Sequence, residues 1–226
     1  MENQIHIAQI QILKELLFKP IAKFSDLNVT GLTNDHFTFH IKRLAELNLV
    51  QKNKNGYELT IRGKEFANRI DTDALKLERQ AKTGVLLVCI DQGNYLIQQR
   101  LKQPYFGFYG FITGKTRWGE TVSETAIREL AEETGLTGIP QLVGIKHKMD
   151  YTPEGQLLED KFFFVVKFKA PKGILIENFE GGKNIWLTKS EIFKLPDLFD
   201  GVKESIVMTD SKDLNFSETK YSVKKY

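Results

Sequence analysis

Residues 114–136 read Gly114-Lys115-Thr116-Arg117-Trp118-Gly119-Glu120-Thr121-Val122-Ser123-Glu124-Thr125-Ala126-Ile127-Arg128-Glu129-Leu130-Ala131-Glu132-Glu133-Thr134-Gly135-Leu136, a helix with both ends specified. Thr121 followed three residues later by Glu124 has the form of a capping box, and Gly135 is a helix terminator, so the spacing predicts a helix over 122–134. Val122, Ala126 and Leu130 give it one apolar stripe for packing on a sheet. Away from that stripe, Glu129, Glu132 and Glu133 fall within an arc of roughly 100°. Like charges three and four residues apart destabilise a helix by roughly 0.2–0.5 kcal/mol per pair, so a shared cation is the physical reason to gather them. Donors that are all oxygen favour magnesium or manganese over zinc. Three glutamates alone would ordinarily be a solvated helix face; the fixed spacing around them argues for more.

Written as a pattern, the stretch is Gly-x5-Glu-x7-Arg-Glu-Leu-x-Glu-Glu-x-Gly-Leu, with Gly114, Glu120, Arg128, Glu129, Leu130, Glu132, Glu133, Gly135 and Leu136 at the fixed positions. Chance agreement is on the order of 10⁻⁹ per start position at ordinary residue frequencies. The pattern resembles the Nudix box without a mismatch. The resemblance implies an α/β/α sandwich with a mixed sheet, hydrolysis of a diphosphate bond in a nucleotide-type substrate, and magnesium as cofactor, with manganese able to serve. It further implies metal ligation by Glu129, Glu132 and Glu133, with Glu120 nearby, Arg128 orienting the carboxylates, and the Thr113 carbonyl as a further ligand. Where family members often carry Pro-Gly-Gly, this chain has Ile112-Thr113-Gly114. A general base often lies outside the box, and Glu154, Glu159, Asp160, Glu177 and Glu180 are the candidates.

The chain of 226 residues is comfortable for two domains. The expected organisation is a first domain over 1–72, a polar linker over 73–82, a second domain over 83–210 and a polar, frayed tail over 211–226. The single cysteine, Cys89, sits in the apolar run Val85–Ile90 and is expected as a buried strand thiol, so no disulfide framework exists. No stretch of 18 apolar residues and no basic, apolar leader is present, which makes the cytoplasm the expected location and excludes a membrane partner. The net charge is +3, and the whole excess lies in residues 1–70, with ten Lys/Arg against seven Asp/Glu. That sign suits a phosphate-facing domain.

The first domain reads as helix from Ile5 to Phe18, a short helix at Ser25–Asn28, a helix capped by Thr33 and running to about Asn48, a hairpin around Asn53-Lys54-Asn55-Gly56, and a helix from Arg62 to Ile70. This order resembles winged helix-turn-helix domains, most of all through Phe37–Leu44, Leu49-Val50 and Gly56–Thr60. If the domain binds double-stranded DNA, Asn34, Thr38 and Lys42 would face the major groove and Lys52 and Lys54 the phosphates. A palindromic target would require a homodimer. Use of the same domain for assembly alone is the competing expectation. His36 and His40 stand one helical turn apart, but no cysteine or carboxylate at matching spacing completes a metal site, and His40 is expected to be packed or hydrogen-bonded.

The second domain opens with strands at Gly84–Asp91 and Tyr95–Gln99, and continues beyond the box with strands at Gln141–Lys148, Lys161–Phe168 and Ile185–Leu187. Helices are predicted after the Thr188/Glu191 capping box and over Val202–Met208. Tyr105, Phe106, Phe108, Tyr109 and Phe111 are expected as a core strand, with a nucleobase platform as the alternative; Tyr151 carries the same ambiguity. Three functions compete: a pyrophosphohydrolase acting on a nucleoside diphosphate linked to another moiety, a DNA-binding regulator whose second domain senses a metabolite such as ADP-ribose, and a repressor whose effector is also its substrate. The unbroken carboxylate set favours the enzyme.

Overall fold

The computed structural model describes residues 5–29 and 31–226. The chain forms two compact units, Met1–Arg79 and Gln80–Tyr226. In the first, α1 (Ile7–Phe18), α2 (Phe24–Leu27) and α3 (Asn34–Glu46) are followed by an antiparallel hairpin of β1 (Val50–Asn53) and β2 (Gly56–Leu59), then α4 (Ile61–Ala67). The spacing of Phe37, Ile41, Leu44 and Leu47 predicts one buried stripe on α3: Phe37, Ile41 and Leu44 are buried and pack with Leu13 and Leu16 of α1 and with Leu49, Val50 and Leu59, while Leu47 is partly buried against the same cluster. Thr33 occupies the N-cap position of α3 without a side-chain cap bond. The five residues expected to face DNA lie on α3 and the hairpin, with Asn34, Lys42, Lys52 and Lys54 exposed and Thr38 half-buried.

Two expectations about the boundary are corrected. The fourth helix ends at Ala67, and Ile70 enters a short hairpin of β3 (Ile70–Asp71) and β4 (Lys76–Leu77). The Asp71 carboxylate accepts the backbone N–H groups of Asp73 and Ala74, which builds the turn. Lys14 donates to the Thr72 carbonyl at 2.7 Å and ties the segment to α1. Residues 73–82 are therefore not a free linker: they complete the hairpin and run into the next strand.

The second unit contains β5 (Lys82–Asp91), β6 (Asn94–Arg100), β7 (Tyr109–Gly110), β8 (Ile112–Lys115), α5 (Val122–Thr134), β9 (Leu136–Thr137), β10 (Gln141–Tyr151), β11 (Leu157–Lys169), β12 (Lys172–Gly173), β13 (Asn178–Phe179), β14 (Gly182–Leu187), α6 (Lys189–Ile192), α7 (Val202–Asp210) and β15 (Asn215–Ser222). Its main sheet has nine strands in the order β13-β14-β6-β5-β11-β10-β15, with β7 on β6 and β8 on β5. The β5–β11 and β10–β15 pairs are parallel and the others antiparallel, so the sheet is mixed as expected. Strand alternation along β5 divides the core. Val85, Leu87 and Cys89 pack with Ala126 and Leu130 of α5, whereas Leu86, Val88 and Ile90 pack with Ile192 of α6 and with Val202, Ile206 and Met208 of α7. Helices on both faces make the α/β/α sandwich. Burial pushes the Cys89 thiol up to about 12, as fits an inert strand residue.

Residues 211–226 do not fray. Asn215–Ser222 is the edge strand β15, paired in parallel with β10, and the Val223 N–H bonds the Tyr151 carbonyl at 2.7 Å. Its inward positions, Asn215, Ser217, Thr219 and Tyr221, are polar or amphipathic, which hides the period of two from a hydrophobicity count. The aromatic run is also corrected. Only Tyr109–Gly110 and Ile112–Lys115 are strands, and residues 101–108 form a loop in which Tyr105 (φ 66°) and Gly107 (φ 90°) are left-handed. Among the described residues no helix is long and apolar enough to cross a membrane.

The ends of α5 follow the sequence. Thr121 Oγ1 accepts the Glu124 N–H at 3.2 Å, Glu124 Oε2 accepts the Thr121 N–H at 2.8 Å, and Gly135 takes φ 71° while its N–H bonds Ala131 O. Losing the cap costs about 1 kcal/mol. The variant Thr121→Ala is accordingly expected to lower the urea midpoint of the second unit. Both tryptophans, Trp118 and Trp186, lie in that unit, so their fluorescence checks it; an unchanged midpoint would mean the cap does not hold α5.

Candidate active site

Gly114 on β8 is where α5 meets the sheet. A methyl group at this position would overlap the Cγ and Cδ of Glu129, and one at Gly84, on the neighbouring strand, would overlap the Gly114 carbonyl oxygen. Two glycines in adjacent strands thus let the Glu129 side chain lie directly on the backbone of β8. Thr113, the preceding residue of β8, borders a cavity beside the helix.

Arg128 gathers the carboxylates. Its Nε and Nη2 donate to the two oxygens of Glu120, both at 2.7 Å, Nη1 donates to Glu129 at 2.6 Å and to Glu132 at 3.1 Å, and Nη2 also reaches the Lys115 carbonyl at 3.1 Å. Bidentate guanidinium–carboxylate geometry is the strong form of this pairing. The Arg128 bonds, with help from the Arg117 N–H and Thr125 Oγ1, hold the Glu120 carboxyl down to about 2. Glu132 is half exposed and is also reached by Arg117 at 3.2 Å.

Glu133 is held differently. Its side chain is only 14% exposed, it accepts from Gln98 Nε2 at 2.9 Å, and Lys102 stands 3.9 Å away. Asn184 completes the arrangement: Oδ1 accepts from Gln98 at 3.2 Å, and Nδ2 donates to the carbonyls of Glu133 and Ile176, each at 2.8 Å. Burial outweighs these partners and raises the Glu133 carboxyl above its usual range. Glu129 and Glu133 both open into a cavity of about 850 Å³, together with Thr113, Gln98 and Arg100. Glu120 and Glu132 are on the Arg128 side and do not line it. Among the described residues no three His, Cys, Asp or Glu side chains are gathered around one point. In donor chemistry the residues fit a hard divalent cation: carboxylate oxygens four residues apart, with Glu129 seated over the bare backbone of Gly114.

Of the five base candidates, only Glu159 borders the cavity, and its oxygens are taken by Lys82, Lys161 and the Tyr226 hydroxyl. Glu154, Glu177 and Glu180 are exposed elsewhere, and Asp160 bonds His147 at 2.8 Å. Tyr105 and Phe111 border the cavity, whereas Phe106 and Tyr151 do not. His36 is exposed, and the His40 ring stacks on His6 at 4.5 Å. Sequence reasoning missed Gln98 and Asn184, which lie 35 and 51 residues from Glu133 and carry no local signal. It also missed the lysines of β10 and β11; Lys146 and Lys148, two apart in a strand, were the one cue available.

The NUDIX domain family matches residues 78–208. An ADP-ribose pyrophosphatase of Methanocaldococcus jannaschii is 27% identical over 115 residues, covering 49% of this chain and 68% of that protein. Among solved structures, the MutT protein from Bacillus halodurans superimposes with a TM-score of 0.52 at 26% identity, over 62% of this chain and 90% of its own. The NUDIX domain of Shewanella oneidensis NrtR, solved with ADP ribose, gives 0.51 at 16% identity over 67% and 97%, a likeness of fold. The chain belongs to the NUDIX family and is a hydrolase acting on pyrophosphate bonds.

Proposed function

We propose that the second unit hydrolyses a nucleoside diphosphate linked to another moiety, with magnesium or manganese, and that ADP-ribose is the first compound to test. The observation that carries this is the pair Glu129 and Glu133 opening into one cavity of about 850 Å³, within the range of small-molecule sites. The similarity to an ADP-ribose pyrophosphatase supports the substrate class.

Glu129 and Glu133, with the Thr113 carbonyl, would hold the metal from the cavity side, and Glu132 would join them by turning from Arg117 and Arg128; when bound the metal supplies charge neutralisation at the diphosphate oxygens and a more acidic water. Arg128 fixes Glu120, Glu129 and Glu132 in place by charge-assisted bonds, and Gln98 orients Glu133 toward the cavity. Holding these groups before substrate arrives avoids reorganisation at the moment of reaction. Glu133→Gln keeps the size of the side chain and removes a buried charge. It is expected to lower magnesium-dependent release of AMP from ADP-ribose by a hundredfold or more while thermal unfolding moves by only a few degrees. Turnover equal to that of the native chain would remove Glu133 from the metal site.

For the first unit we infer a winged helix-turn-helix that binds double-stranded DNA, acting as a homodimer on palindromic sites. The exposed Asn34 and Lys42 on α3, with Thr38 between them, and the exposed Lys52 and Lys54 on the β1–β2 hairpin support this. With such a domain the protein could also act as a regulator that senses the nucleotide its second unit binds. In a DNA-binding assay, Lys52→Ala with Lys54→Ala is expected to weaken binding and to reduce the slope of log affinity against log salt by about two, one for each phosphate that a lysine no longer neutralises. An unchanged slope would take the hairpin out of the interface.

A further inference from the structure

A second set of charged side chains lines the same cavity from β5, β10 and β11. Lys82 stands directly across from Lys161, and Lys161 directly across from Lys148, so three lysines form one row over three adjacent strands. Like charges in opposed positions destabilise a sheet. Two of them are well buried, with side chains 11% exposed at Lys148 and 20% at Lys161. Arg100 joins them, its guanidinium held by the carbonyls of Pro104 at 2.5 Å and Gln103 at 3.1 Å.

The counter-charges are too few. Asp150 pairs with Lys148 at 2.7 Å and accepts from the Tyr105 hydroxyl at 2.9 Å, while Glu159 is shared by Lys82, at 3.1 Å, and Lys161. The row of three lysines faces two carboxylates, leaving a surplus of one positive charge, and Arg100 beside the row is within the field of Glu133. Lys146, next along β10, is balanced separately by Glu204 at 2.8 Å. The crowding is felt at Lys161, whose ammonium is pushed down to about 8, by burial first and then by Lys148, with Lys82 and Arg100 adding to it. A diphosphate already neutralised by a divalent cation would leave this surplus unmatched.

We propose that Lys82, Lys148, Lys161 and Arg100 form a subsite for a phosphate monoester carried by the substrate on the moiety beyond its diphosphate. This rests on the hydrolase function proposed above and narrows its substrate class. A phosphate monoester carries about −1.5 to −2 near neutral pH, opposite in sign to the surplus and to Arg100 beside it, and its three oxygens can bridge a row of ammonium groups.

The test is calorimetric binding, with calcium present to neutralise the diphosphate, of ADP-ribose and of ADP-ribose phosphorylated on its distal ribose. The native chain is expected to bind the phosphorylated compound at least tenfold more tightly. In Lys161→Met, which keeps the side-chain length and relieves the crowding, that ratio falls toward one. Lys82→Met, at the more exposed end of the row, provides the same readout without a buried change. Equal binding of the two compounds to the native chain, or no binding of either, overturns the subsite. So does weakening of both compounds by the same factor in the variants, because the lysines would then serve the diphosphate itself. Magnesium-dependent turnover of both compounds separates the two levels: tenfold preference in binding with no hydrolysis would sink the hydrolase and leave the subsite standing.

Discussion

The approach of Glu129 to the bare backbone at Gly114 is the constraint on which the rest of the second unit depends. No side chain larger than hydrogen fits between that carboxylate and β8, and Gly84 repeats the condition one strand over. With the helix this close, Ala126 and Leu130 reach the face of β5 that carries Val85 and Leu87, and Glu133, one turn on, is drawn into the cavity. The capping box at Thr121 and the left-handed Gly135 then fix the length over which helix and sheet meet.

Electrostatics completes what packing begins. A helix bearing Glu129, Glu132 and Glu133 on one side would repel itself, and Arg128 meets part of that repulsion by donating to Glu120, Glu129 and Glu132 at once. Glu133 lies outside the reach of Arg128 and is held by the neutral amide of Gln98, so burial dominates its ionisation. The same cavity therefore has carboxylates on α5 and a surplus of cations on β5, β6, β10 and β11. A substrate that is anionic over its length, with a metal at one part of it, is complementary to that distribution.

What was legible in the sequence was local. The α5 helix, its caps and its apolar stripe are encoded within 23 residues, and the Asn55-Gly56 hairpin and the buried stripe of α3 within a few residues each. Three segments misled for distinct physical reasons. Residues 73–82 looked like a linker because Asp71 builds its turn with polar atoms. Residues 211–226 looked frayed because the inward side of β15 is polar, although the open edge of β10 gives its backbone a partner. The aromatic run looked like a strand, yet Pro104 and the left-handed Tyr105 and Gly107 turn it into a loop. At the candidate site, spacing singles out Glu120, Arg128, Glu129, Glu132 and Glu133, whereas Gln98, Asn184 and the opposed lysines arrive through sheet register, which a single sequence does not display.

The bare backbone of Gly114 is proposed to seat Glu129 for a divalent cation. That seating is tested most directly by manganese binding, followed by electron paramagnetic resonance, to the native chain and to Gly114→Ala, with circular dichroism as the check on folding. Saturable binding to the native chain and at least tenfold weaker binding to the variant, with the fold retained, are expected. Equal manganese affinity in the two proteins would contradict that seating.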